Sequence, residues 1–192
     1  MKRYRQFEDV IAVIRPKRII EIGTNRGARA EMLCREALKY RSEVFYTGYD
    51  LFEDATPETN VRELNGKRAC TEQEVRDRLS QIPGVAIELI KGDTRKTLHG
   101  TEISADLVFI DGGHSVETIR GDYEAVKGSL CIVFDDYYTG GVDTSKYGCN
   151  EIVAKEPFDL LPREDHTNGI SIKLAAIGYS VKWADAFKRI RE

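Results

Sequence analysis

The chain is short of the features that mark a secreted, membrane or nucleic-acid-binding protein. Its apolar runs stop well below the ~20 residues that a transmembrane helix needs. The first residues, MKRYRQFEDVIAVI, carry basic side chains but no sustained apolar core and no small-residue cleavage site, which argues against a signal peptide. The four cysteines, Cys34, Cys70, Cys131 and Cys149, are widely scattered and include no CxxC pair. That pattern favours reduced thiols and a cytoplasmic setting over a disulfide framework. A net charge of −3 gives no global attraction to nucleic acid or to a membrane surface, and only Arg62, Lys67 and Arg68 form a local basic group. Internal repeats, low-complexity tracts and linkers are also missing, so the 192 residues are expected to form one domain over 1–192.

What is present is a soluble, globular balance of 41% hydrophobic and 32% charged residues. Apolar runs of strand length alternate with helical spacings. Phe7, Val10, Ile11 and Ile14 predict a helix over 4–14 that Pro16 ends. Strands are expected at 18–22, 44–49, 85–90, 106–110 and 130–134, with helices at 28–40, from the Thr71/Glu74 capping box to about 82, and from the Ser115 cap to 126. Five strand–helix alternations imply an α/β fold with a mostly parallel sheet covered on both faces. Two last strands at 158–161 and 170–177, joined through PREDHTNG, would add a terminal antiparallel hairpin. The segments 51–69 and 137–150 read as loops walling a site, with Tyr137, Tyr138 and Tyr147 as candidate stacking surfaces.

The chain is organised around RIIEIGTNRGA, where a buried strand carrying Glu21 breaks into a loop bounded by Gly23 and Gly27 and a helix follows at once. In open α/β sheets, ligands bind where strand carboxyl ends meet helix amino ends. The loop is G-x-x-x-G and lacks the middle glycine that lets a backbone approach a pyrophosphate, which weighs against a nicotinamide dinucleotide. Asp50 follows the second strand, where a ribose diol is commonly held. Asp93 follows the third and could accept from an adenine amino group, while Glu21 could pair with an ammonium. Adenine, ribose and ammonium together describe S-adenosylmethionine. With EIGTNRG, YD at Tyr49-Asp50 and GD at Gly92-Asp93, the sequence resembles class I S-adenosylmethionine-dependent methyltransferases. That resemblance implies a Rossmann-like seven-stranded sheet and a cofactor site at Glu21, Gly23, Thr24, Asn25, Gly27, Asp50, Leu51, Asp93, Thr94 and Asp111.

The second half narrows the resemblance. IDGGH carries Asp111 and His114, Asp122 lies along the next helix, and the following strand ends in Asp135-Asp136. Singly, such aspartates are more often turn or helix caps. Together they resemble the metal-dependent sugar O-methyltransferase group that includes macrocin-type and cephalosporin-hydroxylase-like proteins. Val116 departs from the group's usual aromatic. The resemblance implies Asp111, Asp135 and Asp136 as ligands of a hard divalent cation, Mg²⁺ foremost, because three converging carboxylates repel unless a cation compensates them. It implies His114 as general base. The acceptor would be a hydroxyl of a small polyhydroxylated molecule, a sugar first. Nucleic acid and membranes are not expected as partners, and a homo-oligomer remains compatible with the sequence. Two alternatives stay open at this point: methyl transfer without metal, and a non-catalytic cofactor-binding module on the same fold.

Overall fold

The computed structural model describes residues 3–63 and 70–178. Lys67, Arg68 and the amphipathic tail lie outside the described residues. The sheet has seven strands: β1 Arg18–Ile22, β2 Val44–Asp50, β3 Val85–Lys91, β4 Leu107–Ile110, β5 Cys131–Gly140, β6 Phe158–Thr167 and β7 Ile170–Gly178. Their spatial order is β3-β2-β1-β4-β5-β7-β6. β1 to β5 run parallel, and β7 lies antiparallel between β5 and β6. Among the described residues seven α-helices accompany them: α1 Gln6–Ile14, α2 Ala28–Ala37, α3 Pro57–Arg62, α4 Glu72–Ser80, α5 Thr94–Thr97, α6 Val116–Val126 and α7 Asn150–Val153. This is the Rossmann-like methyltransferase architecture. Among the described residues no helix is long and apolar enough to cross a membrane.

The period of two along each strand sends alternate side chains to two separate cores. Ile19, Tyr46, Phe109 and Val133 pack under α1, α2 and α4 with Phe7, Val10, Leu33, Val75 and Leu79. Ile20, Ile22, Val108, Ile110, Ile132 and Phe134 pack under α6 and α7 with Ile119, Val126, Ile152 and Val153. At roughly 2 kcal/mol for each large apolar side chain removed from water, burial on both faces holds the central strands in place. The chain order reverses at β1, whose neighbours are β2 and β4, so a crevice opens above the carboxyl ends of β1 and β4.

Two differences from the sequence expectation lie in the last three strands. β5 continues past Phe134 to Gly140, because a bulge at Asp135-Asp136, with Asp136 at φ 56, lets the strand rejoin β7 at Tyr137. Tyr137 therefore packs its ring on Phe158 instead of hanging in a loop, and Tyr138 is buried. PREDHT is strand, not connection. Pro162 is tolerated because β6 is the sheet edge and its register shifts between Leu160 and Glu164. The turn is only Asn168-Gly169, both at positive φ, as a tight hairpin requires. All four cysteines are free.

Candidate functional site

Backbone bonds at the carboxyl ends of the strands build the crevice. The Gly23 N–H donates to the Tyr49 carbonyl at 2.8 Å, and the Asp111 N–H donates to the Ile22 carbonyl at 2.8 Å. This draws the first loop against the one after β4. A Cβ on Gly23 would stand 2.1 Å from the Asp111 carbonyl oxygen, and φ there is +94°, so only glycine fits. Asp50 knits the second strand to the loop: its carboxylate accepts from the Asn25 N–H at 2.6 Å and from the Phe52 N–H at 2.7 Å.

The resulting crevice is lined by Ile22, Gly23, Asn25, Tyr49, Asp50, Leu51, Asp93, Thr94, Asp111 and His114 among others. Asp93 caps α5 and lines the cavity, but both its oxygens already receive the Arg95 guanidinium, the nearer contact at 2.7 Å. That bond, foremost, holds its carboxyl below the usual carboxylate range. Behind Thr94, Asp122 is fully buried, with Oδ1 3.0 Å from His99 Nε2, and burial pushes its pKa up to about 6.

The wall expected from 51–69 carries a helix where a loop was expected. α3, short and opened by the Thr56/Thr59 capping box with Pro57 in its first turn, brings Thr59, Asn60, Arg62 and Glu63 over the cavity. Glu63 is buried. Its carboxylate accepts from the Ser115 N–H at 2.9 Å, from the Thr118 hydroxyl at 2.9 Å and from Arg62 at 2.7 Å. Burial alone would raise its pKa, but the Arg62 and Ser115 bonds bring it below the usual carboxylate range. A Cβ on Gly113 would come within 2.6 Å of Glu63 Oε2 and 2.7 Å of Thr118 Cγ2, so a side chain there would displace one of them. The only sequence cue was a polar excursion between a strand and a capping box.

Three residues of the expected cofactor set do not line the cavity. Glu21 is completely buried on the α2 face of β1, where it accepts a short hydrogen bond from the Tyr46 hydroxyl. Burial pushes its pKa up to about 8, against the opposing pull of Tyr46 and Arg29. Where it stands, Glu21 faces the core under α2 and does not line the cavity. Thr24 is buried too, its hydroxyl 3.2 Å from that of Tyr46. Gly27 faces Val75 of α4.

The acidic rim also divides differently from the expectation. Ligand atoms of Asp111, His114 and Asp136 lie within 4.8 Å of one another, with His114 Nε2 3.3 Å from Asp136 Oδ2. Asp135 is not in this group. Consecutive strand residues point to opposite faces, and Asp135 turns toward α1. There Arg3 binds it bidentately, Nε to Oδ1 at 2.8 Å and Nη2 to Oδ2 at 2.8 Å, and the Tyr4 hydroxyl donates to it as well. Although burial opposes it, the Arg3 pairing holds Asp135 below the usual carboxylate range. Burial, and then the neighbouring Asp135, push Asp136 up. The backbone fixes His114: its carbonyl accepts from the Gly148 N–H at 2.8 Å, while Ser115 bridges to Tyr147. Tyr147 is thus tied to the loop that carries His114.

Buried Asp136 facing Asp111 and an imidazole is a donor set that suits a hard or borderline divalent cation. The Gly23 cradle and the adjacent acid-lined crevice suit a nucleoside.

A family model described as a methyltransferase domain matches residues 20–137. No curated protein matches the chain in sequence. Among solved structures the chain is similar to the O-methyltransferase TomG from Streptomyces achromogenes, in complex with S-adenosylmethionine, at 15% identity and a TM-score of 0.58 over 93% of this chain and 80% of that one. It is also similar to the O-methyltransferase from Bacillus cereus in complex with S-adenosylhomocysteine, at 14% identity and a TM-score of 0.60 over 93% and 81%. The N-methyltransferase NodS from Bradyrhizobium japonicum aligns at 13% identity with a TM-score of 0.58 over 94% and 87%. Identities this low establish the fold, and a fold that serves both O- and N-methylation does not itself choose the acceptor atom. With the family model spanning most of the sheet and the cavity at its switch point, the chain belongs to the methyltransferase domain family and is an S-adenosylmethionine-dependent methyltransferase.

Proposed function

We propose that this methyltransferase acts on an oxygen: a hydroxyl of a small polyhydroxylated acceptor, a sugar by the sequence resemblance, with a divalent cation at the rim. The observation that carries the reading is the convergence of Asp111, His114 and Asp136 beside the cavity. In this reading Asp50 and Leu51 hold the ribose, Asp93 and Thr94 face the adenine, and Gly23 and Asn25 border the amino-acid end of the cofactor. Asp111 stands between the cofactor and the acceptor. When bound, the cofactor supplies a methyl group on a positively charged sulfur, and a divalent ion held by Asp111 and Asp136, Mg²⁺ foremost, would lower the pKa of an acceptor hydroxyl. His114 takes the hydroxyl proton, leaving the oxygen free to attack the methyl carbon. The carbon–sulfur pair departs with S-adenosylhomocysteine. Positioning at about 3 Å and exclusion of water carry most of the rest.

A second reading has its own observation. Because Arg3 already neutralises Asp135, only two carboxylates remain in the cluster, and a His114–Asp136 pair can accept a proton without any cation. Turnover with a panel of sugars and catechols, with and without a divalent-ion chelator, separates the two. The cation reading expects activity to vanish with chelator and to return when Mg²⁺ is added in excess. Undiminished turnover would remove the cation and leave the dyad.

A further inference from the structure

The wall that α3 makes over the crevice is pegged into the molecule at its two ends. Just after β2 the chain buries Phe52, and the next buried side chain is Glu63. Residues 53–62 between them bury no side chain, although Thr59, Asn60 and Arg62 line the crevice. Val61 is 77% exposed. Such a strap gains little from the hydrophobic effect, so its place depends on its pegs. Phe52 is an apolar peg. Glu63 is a polar one, and two of its partners lie immediately after His114: the Ser115 N–H on Oε2 and the Thr118 hydroxyl on Oε1. Arg62, which donates to Glu63 Oε1, also reaches Asp93 at 3.6 Å. The far side of the His114 loop is held by the bond from the Gly148 N–H to the His114 carbonyl.

We propose that Glu63 is a positioning residue that couples the strap over the methyl donor to the loop carrying His114. Hydrogen bonds to an ionised carboxylate are roughly twice as strong as neutral ones. A buried carboxylate that loses its donors is costly, so Glu63 does not leave Ser115 and Thr118 without a penalty. The strap and the His114 loop therefore hold their places together. When cofactor fills the crevice against Thr59, Asn60 and Arg62, the strap it presses is tied to the backbone one residue past His114. Cofactor binding then steadies the proton acceptor as well as the methyl donor. The stake is large, because misplacing a reacting group by about 1 Å can cost about 10²-fold in rate. The assignment rests on the reading in which this crevice holds the cofactor and His114 takes the proton, and the test below separates the two.

The test compares Glu63→Ala with Glu63→Gln, by amide hydrogen exchange and by calorimetry with S-adenosylhomocysteine. Glutamine fills the same space, with an oxygen to accept from the Ser115 N–H and an amide to donate to the Thr118 oxygen. The reporters are the Asn60 N–H, bonded to the Thr56 carbonyl in the strap, and the buried Gly148 N–H, bonded to the His114 carbonyl. Neither bonds to Glu63, so their response reads the coupling. In Glu63→Ala both are expected to exchange faster, and S-adenosylhomocysteine to bind more weakly, each by about tenfold or more. Amides of β1 and β4 should keep wild-type rates, and Glu63→Gln should recover most of each loss. Wild-type exchange at Gly148 in Glu63→Ala overturns the coupling, whatever the strap does. Equal acceleration throughout β1 and β4 shows that Glu63 serves the fold at large, which also overturns it. If Glu63→Ala does not melt cooperatively, Thr118→Val removes one of the same bonds from the α6 side: faster Gly148 exchange supports the coupling and an unchanged rate overturns it. If S-adenosylhomocysteine does not bind the wild-type protein, the cofactor reading fails alone, and exchange at Gly148 without ligand decides Glu63 by the same criteria.

Discussion

His114→Ala is expected to lower methyl transfer by about 10²- to 10⁴-fold, the usual contribution of a positioned general base, while S-adenosylhomocysteine affinity stays within about twofold. The expectation follows from where the ring sits. Its nitrogen faces Asp136 at 3.3 Å, its backbone is pinned by Gly148, and the cavity opens beside it. The imidazole pairs with Asp136 at the rim and stands apart from the Asp50 and Asp93 end of the crevice, so cofactor binding should survive. The same variant distinguishes the two roles open to the residue. A base that does not touch the cation leaves Mn²⁺ affinity unchanged when removed. A ligand weakens it along with turnover. Single-turnover rates and Mn²⁺ titrations of the variant give both answers.

Glu21→Gln should change the pH dependence of stability more than any other single substitution on the described face of β1. Burial pushes the native carboxyl up to a pKa of about 8, from an ordinary value of 4.5. Between those values the folded protein keeps a proton that the unfolded chain has released. Raising the pH through this window therefore favours unfolding. At 1.36 kcal/mol per pKa unit the loss by pH 9 is on the order of 4 kcal/mol, most of it present by pH 8. Glutamine does not titrate, so the variant should lack this decline. Its amide brings a donor that the site does not obviously satisfy, which costs about 1–3 kcal/mol at every pH. The decisive quantity is thus the slope and not the absolute stability. Urea unfolding at pH 5.5, 7 and 8.5 should show wild-type stability falling more steeply than that of the variant, in which Asp122 and Asp136 still contribute a decline. Parallel slopes would place the Glu21 titration elsewhere.

These two residues also show what could be read from the chain. His114 was legible because IDGGH puts a titratable ring just after a buried strand, and the structure brings it to Asp136. Asp50 and Asp111 were legible for the same reason: strands of a parallel sheet end on one rim, so residues just past them meet. Glu21 was misread because it lies within its strand, where the period of two decides the face. Its parity matches Ile19, and Ile19 packs under α1 and α2. The same arithmetic separates Asp135 from Asp136, which a reading of the pair as one unit overlooks. Arg3, Tyr4 and Glu63 were beyond reach. Each acts through a contact that bridges 50 or more positions, as in Glu63 to Ser115 and Arg3 to Asp135. No local periodicity encodes such contacts. Pro162 misled in another way, since an edge strand with a shifted register accepts the residue that usually ends one.

The central claim is that the crevice above β1 and β4 presents a bound methyl donor to Asp111, His114 and Asp136. Crystallography of the protein soaked with S-adenosylhomocysteine tests it directly. The account predicts the ribose at Asp50, the adenine beside Asp93 and Thr94, and the sulfur directed toward the His114–Asp136 pair. A nucleoside bound in another cavity, or in this one with its sulfur turned away from those side chains, would contradict it.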